Sequence, residues 1–369
     1  MTVLLLDILI QPEICRDLRL DQWDVVIPQA RAAGLLASLG LLLEERGLSD
    51  QVPYEVRRHM DSVSWTHLKQ VEELEYEIMW LLRAMEEAGQ KLILLKGGAY
   101  LVGGLPPAPG RLISDLDLLV PKTHLQVVED ILREYGWESN GEDSYDDVYY
   151  RKWMHEIPPL VHEERESVLD VHHTILPPTS DEKLNADKLF EDLQEVRPGV
   201  FVLAPLDMVL HSATHLFHEG QFHNGLRDLL DLDRLLRSFS VKEEDFWNNL
   251  YRRAEELGMS NSLYLGLRYS QMFLATPVPE EVSESLKAIR SSYLHIDIMD
   301  FLFIRAFLPD HRSCSKPYTR FAEFCLYVRS HYLRMPLSLL LPHLLHKTWR
   351  RVFDKVQAVT DVNAGKPEV

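Results

Sequence analysis

The chain has 369 residues, 46% of them hydrophobic, and a formal charge of −18 at neutral pH. This is enough apolar material for two or three modest domains with real cores. The negative balance argues against a polynucleotide partner, whose phosphates are bound through clustered Lys and Arg. Cys15, Cys314 and Cys325 are an odd number at wide spacing without a Cys-x-x-Cys pair, which fits a reducing, cytoplasmic setting.

Met1 to Ile10 is apolar but carries Asp7 and lacks a basic stretch, so it does not have the pattern of a signal peptide. No window has the length of a membrane span. From Asp24 to about Arg58 the pattern is helical, with Leu35, Leu36, Leu39, Leu42 and Leu43 on one stripe. A second helix is expected from about Ser64 to Ala88, where Leu68, Val71, Leu74, Ile78, Leu81 and Met85 recur at three and four, and Gly89 ends it. This region is expected to be a helical cap without site residues.

Leu92 to Leu95 is a continuous apolar run, suited to a strand buried on both faces. Lys96, Gly97 and Gly98 follow at once. Adjacent glycines let the backbone turn and bring bare N–H groups to a phosphate, and a helix over Ala99 to Leu105 would add its positive end. Pro106, Pro107, Pro109 and Gly110 break that helix, and Arg111 stands four residues before Asp115. Asp115-Leu116-Asp117-Leu118-Leu119-Val120 then alternates so that, as a strand, it puts both carboxylates on one face. A hard cation such as Mg²⁺ is held by such a pair together with phosphate oxygens.

Pro121 and Thr123 open a helix closed by Gly136. Glu138 to Asp147 is acidic and turn-like, the stretch Val148, Tyr149, Tyr150 and Trp153 has strand character, Glu163 to Glu166 is a charged turn, and Val168 to His172 is the next strand. These two runs form an expected hairpin at the sheet edge. Asp170 on an apolar strand calls for a partner or a metal. His172 shares its face, with a packing role as the plainer alternative. Residues 175 to 200 are a connecting segment around one amphipathic stretch. From Pro205 the chain is helical, and His211, His215 and His218 fall on one helix face. Ser212-Ala213-Thr214 lacks the Glu of a zinc-hydrolase His-Glu-x-x-His, so a row of neutral histidines, in part facing a cleft, is preferred to a metal site. From Arg312 to Lys355 nine Lys or Arg stand against Glu323 and Asp354, with interleaved aromatics. This segment suits docking on the acidic body of the protein, with a peripheral membrane or an acidic partner as the alternative.

The order strand, Lys96-Gly97-Gly98, helix, Arg111, Asp115-x-Asp117 resembles the nucleotidyltransferase superfamily of polymerase beta-like fold. Its finer form resembles an uncharacterised nucleotidyltransferase family met in bacterial biosynthetic gene neighbourhoods. Leu169-Asp170-Val171-His172 and Gly225-Leu226-Arg227 with Asp231-Leu232 extend the likeness, which covers roughly 90 to 240.

The resemblance implies an α+β protein in which a mixed-sheet core (64–204) is flanked by an N-terminal helical region (1–63), a helical domain (205–310) and a basic aromatic segment with a tail (311–369). It implies Mg²⁺-dependent transfer of a nucleotide, with ATP the expected donor, to a small-molecule, peptide or protein acceptor. Asp115, Asp117 and Asp170 would be catalytic metal ligands, Lys96, Gly97, Gly98 and Arg111 would bind phosphate, and His172, His215 and Asp231 would lie on the acceptor side. His215 and Asp231 would either contact the acceptor or brace each other. Three carboxylates and a triphosphate carry about −7, which two Mg²⁺ ions reduce to about −3. Lys96 and Arg111 would offset most of the remainder. Two other readings stand beside this one: a silent nucleotide-binding scaffold of the same fold, and a metal-dependent glycosyltransferase, which the helical upstream region disfavours.

Overall fold

The computed structural model describes residues 3–139, 150–180, 182, 184–218, 220–289 and 296–334. The architecture is α+β: a mixed sheet of seven strands among these residues, with helices before and after it.

Four helices precede the sheet: α1 (Leu4–Ile10), α2 (Leu20–Ala32), α3 (Leu36–Glu45) and the 34-residue α4 (Tyr54–Glu87). The expected continuous helix over 24–58 is broken twice, because Gly34 and Gly47 take left-handed φ of 67° and 66° and Pro53 caps the next helix. Conversely, α4 runs unbroken through Ser64, where the apolar pattern starts a new helix. Leu74, Ile78, Leu81 and Met85 are buried as expected, but Leu68 is 52% exposed. At that level the inward positions belong to polar residues. His67 Nε2 accepts from Gly110 N–H at 3.2 Å, and Gln70 Oε1 accepts from Ile113 N–H at 3.1 Å.

β1 (Leu92–Leu95) is buried at every position. It runs directly into α5 (Lys96–Val102), which starts three residues earlier than the sequence pattern suggests. β2 (Asp115–Leu119) pairs antiparallel with β1 and parallel with β5 (Val168–His172). After α6 (Leu125–Glu134) come β3 (Trp137–Ser139) and β4 (Leu160–His162). β5 does form a hairpin through the turn after His162, but with β4 and not with the expected run Val148 to Trp153. Residues 150–153 are helical, not strand, and Val148 and Tyr149 lie outside the described residues. Arg151 in this turn donates two 2.8 Å hydrogen bonds to Glu129 of α6, a contact that holds the turn on a helix rather than in the sheet. β5 is also not an edge strand.

The connecting segment contains a further hairpin, β6 (Gln194–Arg197) and β7 (Val200–Val202), closed by Pro198-Gly199 with Gly199 at φ 75°. β7 adds in parallel to β1, giving the order β3-β4-β5-β2-β1-β7-β6.

Among the described residues, the α-helices after the sheet are α7 (Pro205–His218), α8 (Gly225–Lys242), α9 (Phe246–Glu256), α10 (Ser260–Leu274), α11 (Glu280–Ile289), α12 (Ile296–Ala306) and α13 (Thr319–Arg334). Buried rings of Phe217, Tyr269, Phe303 and Phe307 interlock at their centre, with Phe217 and Phe303 edge to face at 5.2 Å. Within the basic segment, Arg329 donates to Phe217 O at 2.7 Å and Arg334 to His218 O at 3.1 Å, so its described part rests on α7. Residues 335–355 of that segment lie outside the described residues. Among the described residues no single helix is long and apolar enough to cross a membrane.

The loop from α5 to β2 is clamped by the first helices. Gly110 has φ 74°, and a Cβ there would stand 2.4 Å from Ser38 N and 2.6 Å from Ala37 C, both backbone atoms of α3. Gly110→Ala is therefore expected to cost about 3 kcal/mol or more, summing left-handed strain and overpacking. Gly89→Ala, at φ 66° with nothing within 4 Å, should cost about 1 kcal/mol. Urea denaturation of the two variants checks the difference, and equal losses would exclude the clamp.

Candidate active site

The register of the sheet builds the site. Asp117 lies opposite Leu95 on one side and opposite Asp170 on the other, so the two carboxylates sit side by side on neighbouring parallel strands. Asp115, two residues earlier, shares their face. Its Oδ1 accepts a hydrogen bond from Ser114 Oγ at 2.8 Å.

Asp117 is 4% exposed, and its Oδ1 receives both Lys96 Nζ and His172 Nε2 at 2.8 Å. Burial alone would raise its pKa, but Lys96 and His172 outweigh it and hold the carboxyl well below the usual range. Burial also opposes the Lys96 charge, and Asp117 overcomes it, leaving the ammonium above its ordinary value. Asp170 has no such partner. Its Oδ1 is buried without a hydrogen bond, and burial, with Glu156 and Asp117 nearby, pushes the carboxyl up to about 7.

The turn after β1 differs in detail from the expected glycine turn. The positive φ, 43°, falls on Lys96, while Gly97 and Gly98 are already helical. Both glycines are needed for close approach. A Cβ on Gly97 would meet Arg111 Nη1 at 2.7 Å, and one on Gly98 would meet Leu116 Cδ2 at 3.0 Å. Gly97 thus lets the Arg111 guanidinium lie against the start of α5.

Arg111 is not free for phosphate alone. Its Nε donates to Asp231 Oδ2 at 2.6 Å, Asp228 stands 3.7 Å from Nη2, and Tyr100 lies beneath it at 5.7 Å. Burial works against the charge, and Asp231 and Asp228 outweigh it and hold the guanidinium above its ordinary value. Asp231 therefore braces Arg111, and the ring of His215 meets that of His211 edge to face at 6.5 Å.

Lys96, Gly97, Arg111, Asp115, Asp117, Asp170, His215 and Asp231 line one cleft of about 450 Å³ between the sheet and α7 and α8. Gly98 and His172 do not reach it: the first packs against Leu94 and Leu116, the second sits behind Asp117. The sequence pattern singles out neither Asp228, beside Arg111, nor two further contributors. His155 and Glu156 also line the cleft, carried there by an isolated antiparallel bridge between Glu156 and His172. Their only signal was a polar pair followed by Ile157 and two prolines. In the histidine row, burial pushes His211 down to about 3 and His218 down to about 4, so both are neutral at ordinary pH. Among the described residues the ligand atoms of this row are not gathered at one point, whereas one ligand atom from each of His155, Glu156 and His172 lies within 4.8 Å of the others.

A mixed sheet that presents Asp-x-Asp beside a third acid, faced by a helical unit, is the arrangement of the nucleotidyltransferase class. Residues 20–275 match the model of the family described as uncharacterised nucleotidyltransferase, and the chain belongs to that family. No curated protein and no solved structure matches the chain.

Two outcomes follow from these ion pairs and rings. Asp231→Ala strands a buried guanidinium and should lower stability by about 3–5 kcal/mol, whereas the double variant Arg111→Met with Asp231→Leu should recover most of that. Denaturation midpoints of the three proteins decide it. For His211 the folded pKa lies below the unfolded value of about 6.5, so the unfolded chain takes the proton first. Its contribution to stability is full above that value and falls as pH drops towards about 3. His211→Asn should flatten the loss of stability between pH 6 and 4 by roughly 1.4 kcal/mol per pH unit. Urea titrations at the two pH values measure it.

Proposed function

We propose that the protein moves a nucleoside monophosphate, AMP from ATP in the form we favour, onto a hydroxyl group of a small-molecule, peptide or protein acceptor and releases pyrophosphate. What supports this reading is the register that sets Asp117 opposite Asp170, with Asp115 on the same face, at the wall of one cleft.

The donor set suits a hard divalent cation. Asp115, Asp117 and Asp170 offer oxygen ligands on a single face, and the buried, unpartnered Asp170 Oδ1 is the kind of atom a cation satisfies. Bound by these three carboxylates, Mg²⁺ would neutralise the triphosphate and make the acceptor hydroxyl a better nucleophile.

The rest falls to side chains. Lys96 carries a secure positive charge at the head of α5, beside Asp117, where phosphate oxygens would lie. Arg111, fixed by Asp231 and Asp228, adds a second cation whose direction is set before substrate binds. Asp170 is the group to receive the acceptor proton, since it lines the cleft beside the other two acids. As the acceptor oxygen bonds to the α-phosphorus, the bond from that phosphorus to the pyrophosphate oxygen breaks in line, and the electron pair leaves with pyrophosphate. His215 and Asp231, which also line the cleft, are the side chains we assign to the acceptor.

The test supplies purified protein with Mg²⁺, each nucleoside triphosphate in turn and a pool of hydroxyl acceptors, reading pyrophosphate and product mass. Asp117→Asn should lower turnover at least about 10³-fold, because positioning and charge neutralisation carry the reaction. Near-normal turnover in that variant would sink the assignment. Mg²⁺-dependent triphosphate binding with no turnover for any acceptor would favour the silent scaffold.

A further inference from the structure

Residues 155 to 157 run beside β5, and backbone hydrogen bonds fix the pairing. Ile157 N–H donates to Val171 O at 3.1 Å, and His173 N–H donates to His155 O at 2.9 Å. Glu156 is thereby set opposite His172, and the His155 ring stacks on that of His172 with centroids 5.2 Å apart. One ligand atom from each of His155, Glu156 and His172 lies within 4.8 Å of the others. Glu156 Oε2 stands 3.4 Å from His172 Nδ1 and 3.7 Å from His155 Nε2. Ligands bound at about 2.0–2.1 Å to a tetrahedral ion lie about 3.3–3.4 Å apart, so the carboxylate is already within a few tenths of an ångström of that spacing from each ring, and the two rings lie within 4.8 Å of each other.

Two observations say that something belongs between them. His172 is 1% exposed, and its Nδ1, facing the Glu156 carboxylate, has no hydrogen-bond partner. Its other nitrogen, Nε2, meets Asp117 Oδ1 at 2.8 Å. In its neutral form a histidine that donates one ring N–H to a carboxylate offers the other nitrogen as a lone pair, which is how metal-ligating histidines are oriented.

We propose that His155, Glu156 and His172 bind a divalent cation of the zinc class, at a position separate from the three aspartates that suit Mg²⁺. Two imidazoles and one carboxylate are the donors of Zn²⁺ or Co²⁺, not the oxygen shell that Mg²⁺ requires. Charge permits it: Asp115, Asp117, Asp170 and Glu156 together outnumber the nearby Lys96 and Arg334. Three protein ligands leave a fourth position, and His155 and Glu156 both face the cleft, so that position is open to a substrate oxygen. Only this last role, toward substrate, rests on the nucleotidyl-transfer reading.

Protein stripped with a chelator and dialysed against Zn²⁺ or Co²⁺ in excess Mg²⁺ provides the test. One ion per chain should be retained, and the Co²⁺ form should show visible absorption of tetrahedral intensity. His155→Ala should abolish both signals while its circular dichroism matches the wild type. Asp115→Asn should keep them, and Asp117→Asn, which frees the back of His172, should weaken affinity roughly 10- to 100-fold. Loss of the ion to Mg²⁺, unchanged binding in His155→Ala, or a doubly protonated His172 ring in nitrogen NMR at neutral pH with Zn²⁺ present would each overturn the proposal. A bound Co²⁺ with the expected spectrum but no triphosphate turnover would uphold the metal site and count only against the transfer reading.

Discussion

A buried negative charge on Asp117 is the constraint around which the centre of the molecule is arranged. A carboxylate with so little exposure persists only where opposite charge and hydrogen bonds replace water. Lys96 provides the charge from the end of β1, and to do so its backbone takes a left-handed turn that non-glycine residues seldom adopt. His172 provides the second contact from the end of β5. The three strands that carry these groups, β1, β2 and β5, are the middle of the sheet, so the charge is held where strands are paired on both edges.

The helical parts serve the same end from two directions. Arg111 sits on a loop between α5 and β2, and its position is decided by elements far from it in sequence. Ser38, His67 and Gln70 hold the loop backbone from the N-terminal side, and Asp231 and Asp228 hold the guanidinium from the C-terminal side. The first helices therefore set where one of the cleft's cations stands.

How much of this was legible in the chain depends on whether the signal was local. The run from Leu92 to Val120 announced a strand, a close-packed glycine pair and two carboxylates on one face because each feature is written in adjacent residues. Asp170 was found for the same reason, as a lone acid in an apolar strand. His155 and Glu156 were missed because nothing near them is periodic; only the bridge to His172, sixteen residues on from Glu156, gives them a place. The partner of Arg111 was hidden by a separation of 120 residues. The strand pattern at Tyr150 to Trp153 misled because aromatic residues suit either a strand or a helical turn, and the ion pair with Glu129 decides between them. The Pro198-Gly199 hairpin, by contrast, carried an ordinary turn signal between short alternating runs and was readable in principle.

The cleft draws on residues from Lys96 to Arg334. During synthesis the acidic strands emerge well before α8 and α13, and domains assemble as the chain grows from its N-terminus. Until Asp228 and Asp231 have been made, the Arg111 guanidinium lacks the two carboxylates that hold it. The three carboxylates are thus present in the growing chain long before the helical wall of the cleft, and a ribosome-bound intermediate holds these acids without the chamber that encloses them.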